Sequence, residues 1–120
     1  MKNLKRFSWA FLIIFLASQS MTAQQTGYAC FYSESLCGHT VSSGGKLNCK
    51  KMTAAHRTLK FGTQVLVTNL DNSKSVVVTI NDRGPYSKKD IIDLTPAAAK
   101  KIGLDNRQGR VRVKIITVVN

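Results

Sequence analysis

Apolar and polar residues alternate through Gln64-Val65-Leu66-Val67-Thr68-Asn69, again through Ser75-Val76-Val77-Val78-Thr79-Ile80, and again through Arg110-Val111-Arg112-Val113-Lys114-Ile115-Ile116. Period-two alternation rich in β-branched residues predicts strands with one face in a core. The Asp71-Asn72 turn signal between the first two predicts a hairpin, and Gly27 to Tyr32 reads as an earlier strand. The period changes once. Thr95 reads as an N-cap, Pro96 as the first helical residue, Ala97 to Ile102 as the body and Gly103 as the stop, with Lys100 and Lys101 at the negative end of the helix dipole. About two turns cannot stand by propensity, so packing must hold this helix. Thr40 to Lys51 is a Ser/Gly-rich loop without periodicity. Short, mostly antiparallel strands with one small helix predict a mainly β fold, a compact barrel.

The first residues follow a different pattern. Lys2, Lys5 and Arg6 precede an apolar stretch from Phe7 to Ala17, and small or polar residues follow up to Ala23. The apolar run falls well below the ~20 residues a membrane span needs. Residues 1–23 therefore read as a secretory signal peptide cleaved after Ala23, not a membrane anchor. Bulky Tyr28, where a lipidation box before Cys30 would favour a small residue, argues against lipid attachment. The expected product is one exported domain, residues 24–120, periplasmic or secreted, without stable membrane insertion and monomeric.

The chain carries 18 Lys and Arg against 6 Asp and Glu, a formal charge of +12; loss of Lys2, Lys5 and Arg6 leaves +9. Such a surface suits an anionic partner such as cell wall. Nucleic acid is set aside, because the cations are scattered and neither an Arg-rich helix nor a paired-aromatic RNA-reading motif is present. Cys30, Cys37 and Cys49, at spacings of seven and twelve, do not match a zinc site. In an oxidising compartment one pair is expected to join, leaving one thiol; Cys37 with Cys49 is favoured because both lie in the loop-like stretch. A Cys nucleophile working with His39 or His56 has no local activation signature.

With six acids to choose from, Asp82 stands out: Thr79-Ile80-Asn81-Asp82-Arg83-Gly84-Pro85-Tyr86 takes an apolar strand directly into an acid, a base and a Gly-Pro turn. Its simplest structural role is an ion pair with Arg83 or a turn-amide acceptor. Arg83, Lys88 and Lys89 favour its ionised form, so work as an acid would need burial against Tyr86 or His56. Asp93, two residues before the N-cap, either accepts helix amides or faces Asp82, where shared charge raises one carboxyl.

The runs Met52-Thr53-Ala54-Ala55-His56-Arg57-Thr58-Leu59-Lys60-Phe61-Gly62-Thr63, Val67-Thr68-Asn69-Leu70, Val78 to Tyr86, and Ile91-Ile92-Asp93-Leu94-Thr95-Pro96-Ala97-Ala98-Ala99 closely resemble the rare lipoprotein A family. The likeness covers nearly all of residues 27 to 118. It implies a six-stranded double-psi β-barrel with one or two short helices, related to expansins. It also implies endolytic lytic transglycosylase activity on peptidoglycan strands stripped of stem peptides, with no metal and no cofactor. Carried over by position, the family's active-site aspartate falls on Asp82, its histidine on His56, and the aspartate shared with expansins on Asp93. Asp82 is thus the leading acid/base, with His56 and Asp93 in support. Asn81 and Arg83 are expected to bind sugar hydroxyls, N-acetyl groups or the muramyl carboxylate. Tyr32 and Tyr86 are expected to be sugar platforms, with Phe31 and Phe61 in the core. One departure stands out: the family's glutamate aligns with Gly45. A barrel that keeps the groove but only binds glycan is the competing expectation.

Overall fold

The computed structural model describes residues 24–119; the expected signal peptide, residues 1–23, lies outside the described residues. Six strands close into a barrel: β1 (Gln24–Phe31), β2 (Thr53–Ala55), β3 (Gln64–Asn69), β4 (Ser75–Asp82), β5 (Asp90–Leu94) and β6 (Val111–Thr117), in the order β1-β5-β2-β4-β3-β6. β3 pairs antiparallel with β4 and with β6, β1 with β6, and β2 with β5, while β1–β5 and β2–β4 are parallel. The two parallel pairings interlock the halves of the chain as a double-psi barrel. Neither could be read from periodicity, which is the same for either direction. A one-turn 3-10 helix, Glu34–Leu36, and one α-helix, α1 (Pro96–Lys101), complete the regular elements.

Inward positions alternate as the pattern requires. Val65 and Val67 on β3, Val76, Val78 and Ile80 on β4, and Val111, Val113 and Ile115 on β6 are buried, and Ile92 and Leu94 from β5 join them. Closure removes every sheet edge, so backbone groups are satisfied around the ring. β1 starts three residues before the expected Gly27, because Gln24, Gln25 and Thr26 pair with Ile116, Ile115 and Lys114. That extension is a backbone ladder along exposed residues, so it leaves no hydrophobic signal. Phe31 packs partly buried against the core, as expected. Phe61 does not: it is 42% exposed, and the Arg83 guanidinium lies 4.1 Å from its ring centre.

α1 seats its Ala98 and Ala99 face in the core. Thr95, fully buried, accepts from Ala98 N at 3.3 Å as N-cap and donates to Lys51 O at 2.6 Å. At the other end Gly103, at φ +74°, supplies the left-handed turn that stops the helix. The carbonyl of Ile102 accepts from Asn69 Nδ2 at 2.7 Å and from Asn72 Nδ2 at 3.0 Å. The hairpin turn thus also caps the helix, a tertiary use that its turn signal does not reveal. Among the described residues no helix is long and apolar enough to cross a membrane.

Candidate active groove

Strand register builds the site. On β2, Ala55 stands opposite Asp82 of β4 on one side and Asp93 of β5 on the other, and Asp93 stands opposite Cys30 of β1. Asp82, Ala55, Asp93 and Cys30 therefore form one row across four adjacent strands. The β2–β4 register shifts between Ala54, opposite Ile80, and Ala55, opposite Asp82, so Asn81 is the extra residue of a bulge. The bulge sets Asp82 level with Asp93. Strand spacing places their Cα atoms about 10 Å apart with only the Ala55 methyl between, leaving room for the carboxyls to converge. Gly84, at φ +134°, closes one side; a Cβ there would lie 3.9 Å from Ala55 Cβ and from Asp93 Oδ2.

The two carboxyls are treated oppositely. Asp82 Oδ2 accepts from the Tyr32 hydroxyl at 2.6 Å. Its Oδ1 accepts from Ser42 Oγ at 2.7 Å, Ser42 N at 2.8 Å and Arg83 N at 2.9 Å. Burial alone would raise Asp82, but these donors outweigh it and hold the carboxyl below the usual carboxylate range. Burial pushes the Tyr32 phenol up, and the hydrogen bond to Asp82 adds to this, so the donor keeps its proton. Asp93 moves the other way. Burial raises it, and the charges of Asp90 and Asp82 add to that, against lowering by the Cys30 thiol and Arg57. Two neighbouring carboxyls with proton affinities driven apart are the arrangement acid catalysis requires.

Of the residues expected at the site, Asp82, Asp93 and Tyr32 come together and Asn81 adjoins them in the bulge, its Oδ1 buried without a partner. Tyr86 follows the Gly84-Pro85 turn and is 97% exposed. The Asp82–Arg83 ion pair does not form: Arg83 Nη1 donates to His56 O at 2.9 Å and Leu59 O at 2.7 Å, so the guanidinium braces the turn after β2. Asp93 is no helix cap, since Thr95 fills that role.

His56 lies next to the row in sequence, and its N–H donates to Asp82 O at 3.1 Å, but its imidazole turns elsewhere. Nδ1 accepts from Thr58 N at 3.1 Å and Leu59 N at 3.2 Å, leaving Nε2 to donate to Gln25 Oε1 at 3.1 Å. The ring lines a depression of about 270 Å³ with Gln24, Gln25, Leu59, Val65 and Ile115. Burial, with Arg57 and Arg83 adding, lowers its proton affinity, so it is a neutral ring, held at both nitrogens, that organises a turn.

Four groups at the site escaped the sequence reading. Ser42 comes from the aperiodic loop, which is docked by Ser43 N donating to Asn81 O at 3.2 Å and by a disulfide joining Cys37 and Cys49, with Cα atoms 5.6 Å apart. Arg57, exposed, donates through Nη2 to Ser87 O and ties the turn after β2 to the loop before β5. Cys30 shares the face of Tyr32 by period two, a signal that was available. Asp90 carries none. Gly45, exposed, has nothing within 4 Å of an added Cβ.

A family described as lytic transglycolase matches residues 24–115. The endolytic peptidoglycan transglycosylase RlpA of Haemophilus influenzae is 48% identical over 93 residues, covering 77% of this chain and 32% of that protein. The protein of the same name from Pasteurella multocida is 50% identical over 91 residues, covering 75% and 31%. The chain thus spans about a third of the length of these curated relatives. Among solved structures, the Streptomyces papain inhibitor superposes with TM-score 0.64 at 20% identity, covering 81% of this chain and 96% of that one. A point mutant of Clavibacter michiganensis expansin, in complex with cellohexaose, superposes with TM-score 0.63 at 19% identity, covering 81% and 51%. At these identities the two structures speak for the fold alone.

Proposed function

The chain belongs to the lytic transglycolase family, and on that footing we propose that it is an exported enzyme that cleaves MurNAc–GlcNAc bonds within peptidoglycan strands lacking stem peptides, leaving 1,6-anhydro ends. The observation that carries this reading is the Asp82–Asp93 pair, set level by the bulge and driven apart in proton affinity. The roles differ from the sequence expectation, in which Asp82 led as acid. Asp93, whose proton affinity burial raises, serves as the acid; Asp82, with four donors on it, serves as the fixed negative charge.

In the reaction, Asp93 donates its proton to the glycosidic oxygen as the bond from that oxygen to C1 breaks. The positive charge developing at C1 is stabilised by ionised Asp82. The 6-hydroxyl of the same sugar then bonds to C1 and returns its proton to Asp93, so one group serves as acid and then base and no water is consumed. A water-activating second carboxylate is therefore unnecessary, and the chemistry survives glycine at position 45. Arg57, with one nitrogen held by Ser87 O and the rest of its fork exposed, takes the role expected of Arg83 and pairs with the lactyl carboxylate, which is free only where the stem peptide is gone. Asn81 and Tyr86 supply polar and aromatic contacts along the strand.

The competing reading, a barrel that binds glycan without cutting it, draws on open, acid-free Gly45. Mass spectrometry of stripped strands after incubation with the protein separates the two. Anhydro-ended fragments are expected from wild type, none from Asp93→Asn, and strongly reduced amounts from Asp82→Asn. A folded, wall-binding wild type that yields no fragments from stripped or intact wall would overturn the enzymatic reading.

A further inference from the structure

Cys30 lies at the end of a polar chain that runs into the groove. Arg110 grips Asp90 with two hydrogen bonds, Nε to Oδ1 at 2.7 Å and Nη2 to Oδ2 at 3.0 Å, and Asp90 is 3% exposed. The Cys30 thiol lies 3.4 Å from Asp90 Oδ2 and is hydrogen-bonded to Asp93 Oδ1, its register partner across β1 and β5. Burial and the two flanking carboxyls push this thiol far up, so it is a donor and not a nucleophile. Because the guanidinium fork already satisfies Asp90, the single S–H proton is directed to Asp93 Oδ1. That leaves Asp93 Oδ2, 3.9 Å from where a Gly84 Cβ would stand, without a hydrogen bond among the described residues.

We propose that Cys30 is a positioning residue for Asp93: its thiol, seated against the Asp90–Arg110 pair, pins Oδ1 and presents Oδ2 to the glycosidic oxygen. This rests on the reading of Asp93 as the proton donor. The choice of sulfur matters, because S–H is a weak donor that orients a carboxyl without greatly favouring its ionised form. The other groups facing Asp93 are Asp90 on its own strand, Asp82 from β4, Tyr32 after β1 and Arg57 after β2, and none of them reaches Oδ1. A hydroxyl in place of the thiol would stabilise ionised Asp93, whereas removing the donor would destabilise it.

The test is the carboxyl ¹³C titration of Asp93 by NMR in wild type, Cys30→Ser and Cys30→Ala, beside the pH–rate profile for fragment release. Serine is expected to move both the Asp93 titration and the alkaline limb of the profile to lower pH. Alanine is expected to move both to higher pH and, with Oδ1 unpinned, to cut the maximal rate by about tenfold or more. Shifts in the same direction for both variants, or none in either, would overturn the inference; should the alanine variant fail to fold, the serine shift alone decides. If the titrations move as expected while Asp93→Asn stays active, the donor reading falls and the thiol's hold on Asp93 stands. If Asp93→Asn is inactive and the titrations do not move, only the role of Cys30 is lost.

Discussion

Replacing Arg110 with alanine removes the one cation that, among the described residues, grips a buried carboxylate, and the structure sets the size of the loss. The side chain of Asp90 is 4% exposed and that of Arg110 40%. Removing one partner of a fully buried pair costs about 3–5 kcal/mol, because the remaining charge is left unpaired. Here the guanidinium is partly solvated and water can enter its place, so about 2–3 kcal/mol is expected at pH 7. For a domain of this size each kcal/mol moves the melting temperature by about 4–8 °C, which gives a fall of roughly 10–20 °C. The Arg107–Asp105 pair is the internal control: its side chains are 91% and 47% exposed. Arg107→Ala should cost no more than about 0.5 kcal/mol. The pH dependence has a fixed sign. Burial alone would raise Asp90, but the Arg110 hydrogen bonds and charge outweigh it and hold the carboxyl low. Its contribution is therefore present above the ordinary aspartate range and lost as pH falls through the folded value. The gap between wild type and Arg110→Ala should be full at pH 7 and narrow below about pH 4. Adding Asp90→Asn to Arg110→Ala should recover part of the loss at neutral pH by removing the orphaned charge. Thermal melts followed by circular dichroism at pH 7 and pH 3 measure all of this. Equal losses for the Arg110 and Arg107 variants, or a gap that widens in acid, would refute the reasoning.

Three further outcomes follow from the same geometry. Tyr32→Phe removes the 2.6 Å donor from Asp82, so Asp82 holds a proton more readily; the acid limb of the pH–rate profile should move to higher pH, with the alkaline limb unchanged. Reduction of the Cys37–Cys49 disulfide, or its replacement by serines, reopens a loop of sequence separation 12; about 3 kcal/mol of stability should go, and fragment release should fall as well, since this loop carries Ser42 to Asp82. Gly45→Glu meets no neighbour and needs no unusual backbone, so the variant should melt within about 3 °C of wild type; a severalfold rise in fragment release would show that the second carboxylate still has a place in this groove, and an unchanged rate would support the single-acid scheme.

How much of this was legible in the sequence depends on the range of the interaction. Alternation at residues 64–69, 75–80 and 110–116 marked three strands within a residue or two, because burial on one face is a local, periodic constraint. The helix was readable at both ends, since Thr95 and Gly103 act within one turn of themselves. The motif resemblance singled out Asp82 and Asp93 in the same way, by their immediate neighbours. It also carried His56 into the site, where the backbone belongs but the ring does not. A ring's direction is decided by Thr58, Leu59 and, on a different strand, Gln25.

A mainly β domain with a short capped helix, a basic surface and two aspartates at strand ends can be read from the chain alone, because each follows from residues close together in it. The opposite shifts of the two proton affinities come from the fold. That outcome depends on Ser42 and Tyr32 converging on Asp82, on a one-residue bulge at Asn81 that sets the two carboxyls level, and on a thiol from β1 that reaches Asp93. Proton affinity is set by charges and donors within a few ångströms in space, and barrel closure brings those groups together from 40 to 63 positions away.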